Sequence, residues 1–392
     1  MEKLKFILKN AIETVPFYIE KRIKLDWQHF SFKELNKFPV ITKDQIRKAP
    51  DKFVSYKNKN RGILAKTSGS SGQKFEFLLP YDSDCYEDIF SSRARTMGEG
   101  YDYFLNDPII LLRTYAPQKD EPLYRIDKKN NLFYLSPFDI NEKNLDLYLK
   151  IINESKAKMI RGYPSSIYIF TLLLREKNIK LPQIKVLFTS SETLLPSFRE
   201  TIESYWDIPV LDWYGQNERT VTVQQCWAGN YHNNDEYGIV QLDDDNQIIA
   251  TSLYNNVMPF IRYATGDIAV PLDKAIDKCP CGRTLSIPFK SIEGRSDDIL
   301  VKVDGTKIPT INMYTVMHGF PKIKQFRIVQ NIDTSLTLYL LPNQTLSAED
   351  VSDIEKAIKQ RTGDLQIETK IVKEITRNRK TGKIKVIESL GA

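Results

Sequence analysis

The sequence is poor in the residues that build disulfide frameworks, with four cysteines and three histidines among 392 residues. So few cysteines in a chain of this length argue against a disulfide-stabilised secreted fold. No window approaches the roughly 20 consecutive apolar residues that a membrane helix needs. The first 15 residues carry a charge every few positions, which is not the pattern of a secretory signal peptide. These absences predict a cytoplasmic protein with reduced thiols and without a membrane partner.

The sequence also lacks a strong charge bias. Its formal net charge is +6, from 56 basic and 50 acidic residues distributed along the chain. A basic patch for nucleic acid would require clustered lysines and arginines. The composition instead favours a solvated surface or an anionic small substrate. We therefore expect small-molecule partners, no nucleic-acid partner, and a monomer or homodimer.

The length and pattern of the chain predict two domains of different size. A chain of 392 residues exceeds one ordinary hydrophobic core. Helical segments alternate with short apolar strands from about residue 82 to 210, which predicts an α/β fold of layered sheets and helices. The last stretch of about 95 residues has the size of a small α+β unit. We expect a large N-terminal domain over residues 1–296 and a small C-terminal domain over residues 297–392.

One helix start can be identified from the side chains alone. Thr42 is followed three residues later by Gln45. In a capping box, the threonine hydroxyl and the glutamine side chain each bind a free backbone amide at the first turn. This pair predicts that a helix begins just after Thr42.

A loop of small residues near residue 70 is suited to binding phosphate. Glycines allow the backbone to approach a ligand closely, and converging backbone and hydroxyl donors bind phosphate oxygens. The Walker motif is absent, and the alternative is a flexible surface loop. The residues that we assign to this loop are Thr67, Ser68, Gly69, Ser70, Ser71, Gly72 and Lys74.

Five further segments place polar residues at turns, and they follow the loop in a fixed order along the chain. Each alone is weak, since an aspartate in a turn is usually only a turn residue. The segments are Ser190-Ser-Glu-Thr193, Asp212-Trp-Tyr-Gly-Gln-Asn-Glu218, Arg262-Tyr-Ala-Thr-Gly-Asp267, Gly294-Arg-Ser-Asp-Asp298 and Thr381-Gly-Lys-Ile384.

Together these segments resemble the adenylate-forming ligases, the acyl-CoA synthetases and their relatives. Within that superfamily the chain is most similar to the phenylacetate–CoA ligase-like branch, which includes capsule-biosynthesis relatives. Phe17-Tyr18 and the segment from Phe38 to Arg47 are similar to the N-terminal region of that branch. The resemblance therefore extends over nearly the whole chain.

The resemblance implies an ATP- and magnesium-dependent enzyme and assigns roles to single residues. Glu218 would hold Mg²⁺, and Asp267 would accept hydrogen bonds from the ribose hydroxyls. Asp297 would be the pivot of a mobile C-terminal domain, and Lys383 the catalytic lysine, because it follows the glycine where Lys380 and Lys385 do not. Further nucleotide-binding residues beyond the loop would be Ser191, Glu192, Tyr214, Gly215 and Arg295.

The chemistry of carboxylate activation explains these residue types. ATP and a carboxylate are both anions, so magnesium and a lysine are needed to bring them together and to stabilise the charge of the transition state. The attacking carboxylate is already ionised near neutral pH and needs no general base. The implied reaction forms an acyl-adenylate and pyrophosphate.

The acceptor of the second step is open from sequence. Coenzyme A is the commonest acceptor in the relatives, and the alternatives are transfer to an amine or a hydroxyl. A non-catalytic nucleotide-binding relative is a further alternative, against which the presence of both Glu218 and Lys383 argues. Candidates for the acyl pocket, each of which has a core residue or an ion pair as its alternative, are Arg113, Tyr115, Tyr134, Tyr163, Ser165 and Trp213.

Three cysteines and one histidine form a second constellation. Cys226 and His232 are separated by five residues, and Cys279 and Cys281 by one. Three thiolates and an imidazole would complete a closed, tetrahedral and structural zinc site. Similar positions occur in some phenylacetate–CoA ligase-like proteins, while the alternative is a set of buried, inert thiols. The sequence predicts bound Zn²⁺.

Overall fold

A computed structural model of the chain describes all residues except 68–74, 96–106, 116, 119, 273–277, 284–288, 296–298, 302–306, 310–312, 314–315, 318, 364, 377–384 and 391–392. In this part of the chain the α-helices are α1 (Glu2–Thr14), α2 (Pro16–Glu20), α3 (Lys43–Lys48), α4 (Ser83–Arg95), α5 (Leu145–Ser155), α6 (Pro164–Glu176), α7 (Pro196–Trp206) and α8 (Ala348–Thr362). Short 3₁₀ helices cover Phe32–Lys37, Pro50–Phe53, Lys59–Arg61 and Glu142–Asn144.

The strands follow in chain order, and most are short. They are β1 (Gly62–Thr67), β2 (Phe75–Pro80), β3 (Ile109–Leu112), β4 (Tyr124–Asp127), β5 (Leu132–Leu135), β6 (Met159–Gly162), β7 (Val186–Ser190), β8 (Val210–Gly215), β9 (Thr222–Gln225), β10 (Tyr231–Asn233), β11 (Gly238–Leu242), β12 (Gln247–Ser252), β13 (Tyr263–Pro271), β14 (Phe289–Arg295), β15 (Ile299–Val301), β16 (Lys307–Pro309), β17 (Ile323–Gln330), β18 (Leu336–Pro342), β19 (Ile367–Ile371) and β20 (Ile387–Ser389).

The chain forms two compact units, and neither is continuous in sequence. The first comprises Met1–Asp107, Lys185–Ser191 and Pro209–Ile292. The second comprises Pro108–Ile184, Glu192–Ile208 and Glu293–Ala392. The predicted boundary at residues 296 and 297 falls outside the described residues and stays a prediction.

The first unit holds a sheet with the strand order β11-β12-β13-β14-β10-β9-β8-β7. Strand β7 is buried along its whole length and pairs in parallel with β8, as continuous apolar runs do in the centre of a sheet. The pairs β8–β9 and β9–β10 are antiparallel. In the antiparallel hairpin of β1 and β2, Thr67 and Phe75 are the pair next to the connection between the strands, so the residues between these two are those of the predicted phosphate loop.

The N-terminal helices are anchored on the first unit by apolar side chains at helical spacing. Leu4, Ile7, Leu8 and Ala11 of α1 are buried in one cluster, which is the core-facing stripe of an amphipathic helix. Helix α3 begins at Lys43, and the capping box of Thr42 and Gln45 is complete. The predicted helix start is therefore confirmed.

The second unit contains a mixed sheet, in the order β6-β3-β5-β4, with helices α5, α6 and α7. Its C-terminal part has the sheet β19-β18-β17-β20 and helix α8, which share a hydrophobic cluster of their own. The predicted α/β fold of layered sheets and helices is confirmed, while a separate small C-terminal domain stays a prediction. Within the described residues, the helices are too short or too polar to cross a bilayer.

Candidate nucleotide site and metal centre

Two motif segments that lie far apart in the sequence pair head to tail. The Tyr214 hydroxyl donates a hydrogen bond to Asp267 Oδ2 at 2.7 Å. The Tyr263 hydroxyl donates to Glu218 Oε1 at 2.8 Å. A tyrosine near the start of each segment thus meets the acidic residue that ends the other segment. The two carboxylates predicted to hold ribose and magnesium therefore lie on one assembly.

Both tyrosines remain neutral hydrogen-bond donors. Burial, and then the charge of Asp267, raises the pKa of Tyr214 well above its ordinary value. Burial, and then the charge of Glu218, does the same to the pKa of Tyr263. A phenol that keeps its proton can orient a neighbouring carboxylate by donating to it.

Glycine at position 215 is required by the indole of the neighbouring Trp213. A Cβ atom at Gly215 would lie 2.9 Å from Trp213 Nε1, closer than real Cβ contacts allow. Trp213 is itself buried, with 5% of its surface exposed. The glycine therefore allows the backbone to pass close to the ring at the end of β8.

Lys43 is a site residue that the motifs did not predict. Its Nζ lies 3.3 Å from Glu218 Oε1, and the Glu218 side chain is only 5% exposed. A bridge between Ile41 and Tyr263 brings the start of α3 to this place, with hydrogen bonds from the amide of Ile41 to the carbonyl of Arg262 and from the amide of Ala264 to the carbonyl of Ile41. The available sequence signal was a lysine at the first position of a capped helix, within the segment from Phe38 to Arg47 that is similar to the family's N-terminal region.

Glu218 fits a magnesium ion by its chemistry. Carboxylate oxygens are the ligands that Mg²⁺ takes in proteins. The contacts of Tyr263 and Lys43 both fall on Oε1, so neither of them occupies Oε2. The buried carboxylate can therefore offer its second oxygen to a cation.

The predicted nucleotide-binding residues Ser191 and Glu192 directly follow the end of β7. Ser191 is exposed and has a φ of +72°, a left-handed conformation that glycine adopts most readily. The next residue, Glu192, accepts a hydrogen bond at Oε2 from the amide of Ser165 at 3.2 Å. Ser165 is in the first turn of α6, where free amides and the helix dipole favour a carboxylate.

Some of the predicted site residues lie outside the part of the chain, or outside the side chains, that the structure describes. Thr67 ends β1 and Arg295 ends β14, but their side chains are not described. The remaining ones lie outside the described residues; they are Ser68, Gly69, Ser70, Ser71, Gly72, Lys74, Asp297 and Lys383.

The acyl-pocket candidates divide into a buried group and a group around an arginine. Tyr163 and Ser165 are each 2% exposed, and the Arg113 guanidinium lies 5.7 Å from the centre of the Tyr163 ring. The guanidinium of Arg125, which was not predicted, lies 4.3 Å from the Tyr134 ring and 5.7 Å from the Tyr115 ring. Cation–π pairing thus connects the two half-buried aromatic candidates, Tyr115 and Tyr134.

The three cysteines and the histidine of the predicted zinc site converge. The ligand atoms of Cys226, His232, Cys279 and Cys281 all lie within 4.8 Å of one another. The Sγ atoms of Cys226 and Cys279 are 3.6 Å apart, and Cys281 Sγ is 3.4 Å from His232 Nε2. Around a tetrahedral zinc the corresponding separations would be about 3.8 and 3.6 Å, so the four residues fit the ion.

Two similar turns build this cluster. Gly229 and Gly282 each follow a cysteine by three residues, have φ values of +80° and +87°, and donate a backbone hydrogen bond to the carbonyl of Cys226 or Cys279. Asn230 also donates to Cys279 Sγ, at 3.3 Å, a contact of the kind that orients metal ligands. The repeated Cys-x-x-Gly spacing was a sequence signal for these turns.

The thiols of the cluster have distinct acidities. Burial raises the pKa of Cys226 to about 12 and also raises the pKa of Cys281. Burial acts the same way on Cys279, but hydrogen bonds from the Cys281 backbone and from Asn230 outweigh it and lower its pKa. A cation is therefore needed to hold all three as thiolates.

Comparison with known proteins agrees with this architecture. No family model matches the chain. Protein CapK of Staphylococcus aureus is 26% identical over 374 residues, covering 91% of this chain and 80% of CapK. These values indicate a sequence relative of similar extent.

Solved structures of 2-hydroxyisobutyryl-CoA ligase share the fold. One, in the postadenylation state with R3-HIB-AMP, superposes with a TM-score of 0.67 at 17% identity, over 96% of this chain and 86% of that one. Another, with 2-HIB-AMP and CoA in the thioesterification state, has a TM-score of 0.55 at 20% identity, over 99% and 88%. The chain therefore has the fold of the adenylate-forming acyl-CoA ligases and is a sequence relative of CapK, as the order of its motifs predicts.

Proposed function

We propose that the protein is an ATP-dependent ligase that converts a carboxylate to an acyl-adenylate with release of pyrophosphate. The observation that carries this proposal is the head-to-tail pairing of Tyr214 with Asp267 and of Glu218 with Tyr263. The segments involved were chosen from sequence for their resemblance to a nucleotide site. Their direct contact supports one assembly in which Asp267 would receive the ribose and Glu218 a cation.

In the proposed reaction, different residues bind the ribose, the phosphates and the magnesium ion. Asp267 accepts hydrogen bonds from the ribose hydroxyls, and Tyr214 and Gly215 border the nucleotide. The hydroxyls and amides from Thr67 to Lys74 hold the β- and γ-phosphates, which leave as pyrophosphate. Bound Mg²⁺, held by Glu218, would neutralise phosphate charge.

Lys383 bridges the substrate carboxylate and the α-phosphate in this proposal and stabilises the charge that builds up in the transition state. Since the second step needs another acceptor at the same site, the lysine has to withdraw. A pivot at Asp297, with Arg295 near the nucleotide, would allow this movement of residues 297–392.

We further propose transfer of the acyl group to coenzyme A. The similarity to structures that hold an acyl-adenylate together with CoA supports this acceptor. Transfer to an amine or hydroxyl is the alternative, with which the similarity to CapK is also compatible.

We also propose that Cys226, His232, Cys279 and Cys281 bind a structural zinc ion. Four protein ligands leave no open position for catalysis. The thiolates require a reducing compartment, and we accordingly propose a cytoplasmic location.

The decisive experiment is the exchange of labelled pyrophosphate into ATP over a panel of aromatic, aliphatic and hydroxy carboxylates. We expect one carboxylate class to support exchange and Lys383→Ala to reduce it by a factor on the order of 100 or more. Lys380→Ala is the matched control and should retain exchange. The same panel, with CoA or with amines added, identifies the acceptor by the product formed. If no carboxylate supports exchange, a non-catalytic nucleotide-binding protein becomes the better interpretation.

A further inference from the structure

A chain of hydrogen bonds extends from the ribose carboxylate into the interior of the first unit. Thr220 Oγ1 donates to Gln216 Oε1, and Gln216 Nε2 donates to the Tyr214 hydroxyl. The Tyr214 hydroxyl donates in turn to Asp267 Oδ2 at 2.7 Å. Thr220 is fully buried, whereas the other three side chains are partly buried. This series of hydrogen bonds therefore starts at a buried threonine in the core and ends at the surface of the candidate site.

The direction of each hydrogen bond in this series follows from the Asp267 carboxylate at its end. An ionised carboxylate only accepts hydrogen bonds, so Tyr214 must give its single proton to Asp267. The phenol oxygen can then only accept, which requires the amide nitrogen of Gln216 to face it. The Gln216 carbonyl oxygen consequently faces Thr220 and accepts its hydroxyl proton. Each group has one orientation that satisfies its neighbours.

We propose that Gln216 is a positioning residue for nucleotide binding. Held by Thr220, it fixes the phenol of Tyr214, and this fixes the Asp267 carboxylate in the orientation that receives the ribose hydroxyls. The inference rests on the proposed function, because it assumes that Asp267 binds ribose. Gln216 acts through Tyr214 and not through a contact of its own. A carboxylate that is oriented before the ligand arrives loses less conformational freedom on binding.

This role predicts an effect that depends on the sugar. Gln216→Leu removes the amide donor at a similar side-chain size and should weaken ATP binding by about tenfold, the value of one hydrogen bond. Binding of 2′,3′-dideoxy-ATP should not change, because this nucleotide lacks the ribose hydroxyls that would donate hydrogen bonds to Asp267. Thr220→Val should reproduce the selective loss, while Thr220→Ser, which keeps the hydroxyl, should restore binding of ATP. Gln241→Leu is the matched control, because this glutamine takes no part in the hydrogen-bond series from Thr220 to Asp267. It should leave both affinities unchanged.

The test is titration calorimetry of the full chain with ATP and with 2′,3′-dideoxy-ATP. Equal losses for both nucleotides on Gln216→Leu and Thr220→Val would show a general structural role and overturn the inference, as would unchanged affinity for both. A wild-type protein that binds the two nucleotides equally well would also overturn it, because Asp267 would then have no part in ribose binding. A wild-type protein that binds neither nucleotide would contradict the proposed function itself, and is thereby distinguished from failure of the inference alone.

Discussion

The Lys43 ammonium lies 3.3 Å from Glu218 Oε1, at a carboxylate that is almost completely buried. The two residues are 175 positions apart, and the bridge between Ile41 and Tyr263 brings them together. Tyr263 donates to the same oxygen. The carboxylate proposed to hold magnesium is thus already paired with a cation and a phenol before any ligand binds.

Loss of Lys43 should destabilise the protein. Lys43→Met leaves the Glu218 carboxylate buried without its cation, and breaking such a pair from one side costs about 3 kcal/mol. Urea unfolding of the variant measures this loss. The exposed Lys48 on the same short helix provides the matched control, since Lys48→Met should change the free energy of unfolding by less than about 0.5 kcal/mol.

The pairing also predicts a rescue. Glu218→Gln removes the uncompensated charge, so the double variant Lys43→Met, Glu218→Gln should be more stable than Lys43→Met alone. If the double variant is less stable than either single variant, the charge of Glu218 does not explain the cost.

Zinc should bind to the cysteine–histidine cluster in a ratio of one ion per chain. Cys279→Ser removes one thiolate from a closed tetrahedral site and should lower the zinc content and the melting temperature. Metal analysis of the purified proteins measures the zinc content, and a thermal scan measures the melting temperature. Cys85 is exposed and lies outside the cluster, so Cys85→Ser should keep the full metal content. A wild-type ratio near zero would refute the zinc proposal.

The stability supplied by Asp350 should disappear in acid. The hydrogen bond from Lys322, and then those from Ser347, lower the pKa of Asp350 from 3.8 to about 2. Because its folded-state pKa lies below the unfolded value, the carboxylate stabilises the fold above about pH 4, and this contribution is lost as the pH falls toward 2.

The variant Asp350→Asn should therefore be less stable than wild type at pH 6 and equally stable near pH 2. Urea unfolding across this range provides the measurement. Asp353→Asn on the same helix loses an exposed pair with Lys356 and should have little effect at either pH. A destabilisation by Asp350→Asn that is independent of pH would show that capping geometry, and not charge, is responsible.

Adding a methyl group at residue 215 should be costly. Gly215→Ala would place its Cβ 2.9 Å from Trp213 Nε1, and overpacking of this kind costs about 1–3 kcal/mol. We expect a lower free energy of unfolding, measured with urea. In a Trp213→Phe background, where the indole nitrogen is gone, the loss should be smaller; an equal loss in both backgrounds would exclude the indole as its cause.

Local features of the fold were predictable because they depend on neighbours in sequence. Thr42 and Gln45 act within one helical turn, and their capping box formed as predicted. The short apolar stretch that starts at Val186 begins a fully buried strand. Helices α5, α6 and α7 lie within residues 82–210, where the sequence predicts helical segments in alternation with strands, because such periodicity is a local property of the chain.

The candidate site was predictable only as a set of segments. The motif order identified Tyr214, Glu218 and Asp267, but their partners could not be read from it. Which side chains meet depends on strand register and on the packing of distant segments. For the same reason Lys43, Gln216 and Arg125 were missed, although each contacts a predicted residue.

The sequence by itself determined the superfamily resemblance, the α/β class and the residue types of both sites, because motif order and periodicity are properties of the linear chain. Only the tertiary structure decided that Tyr214 and Glu218 pair with Asp267 and Tyr263, and that four ligand atoms of the cysteine–histidine cluster converge within 4.8 Å. Those contacts join residues that are tens of positions apart. Their geometry is set by the packing of the whole unit, where a shift of one residue in a strand would turn the side chains to the opposite face.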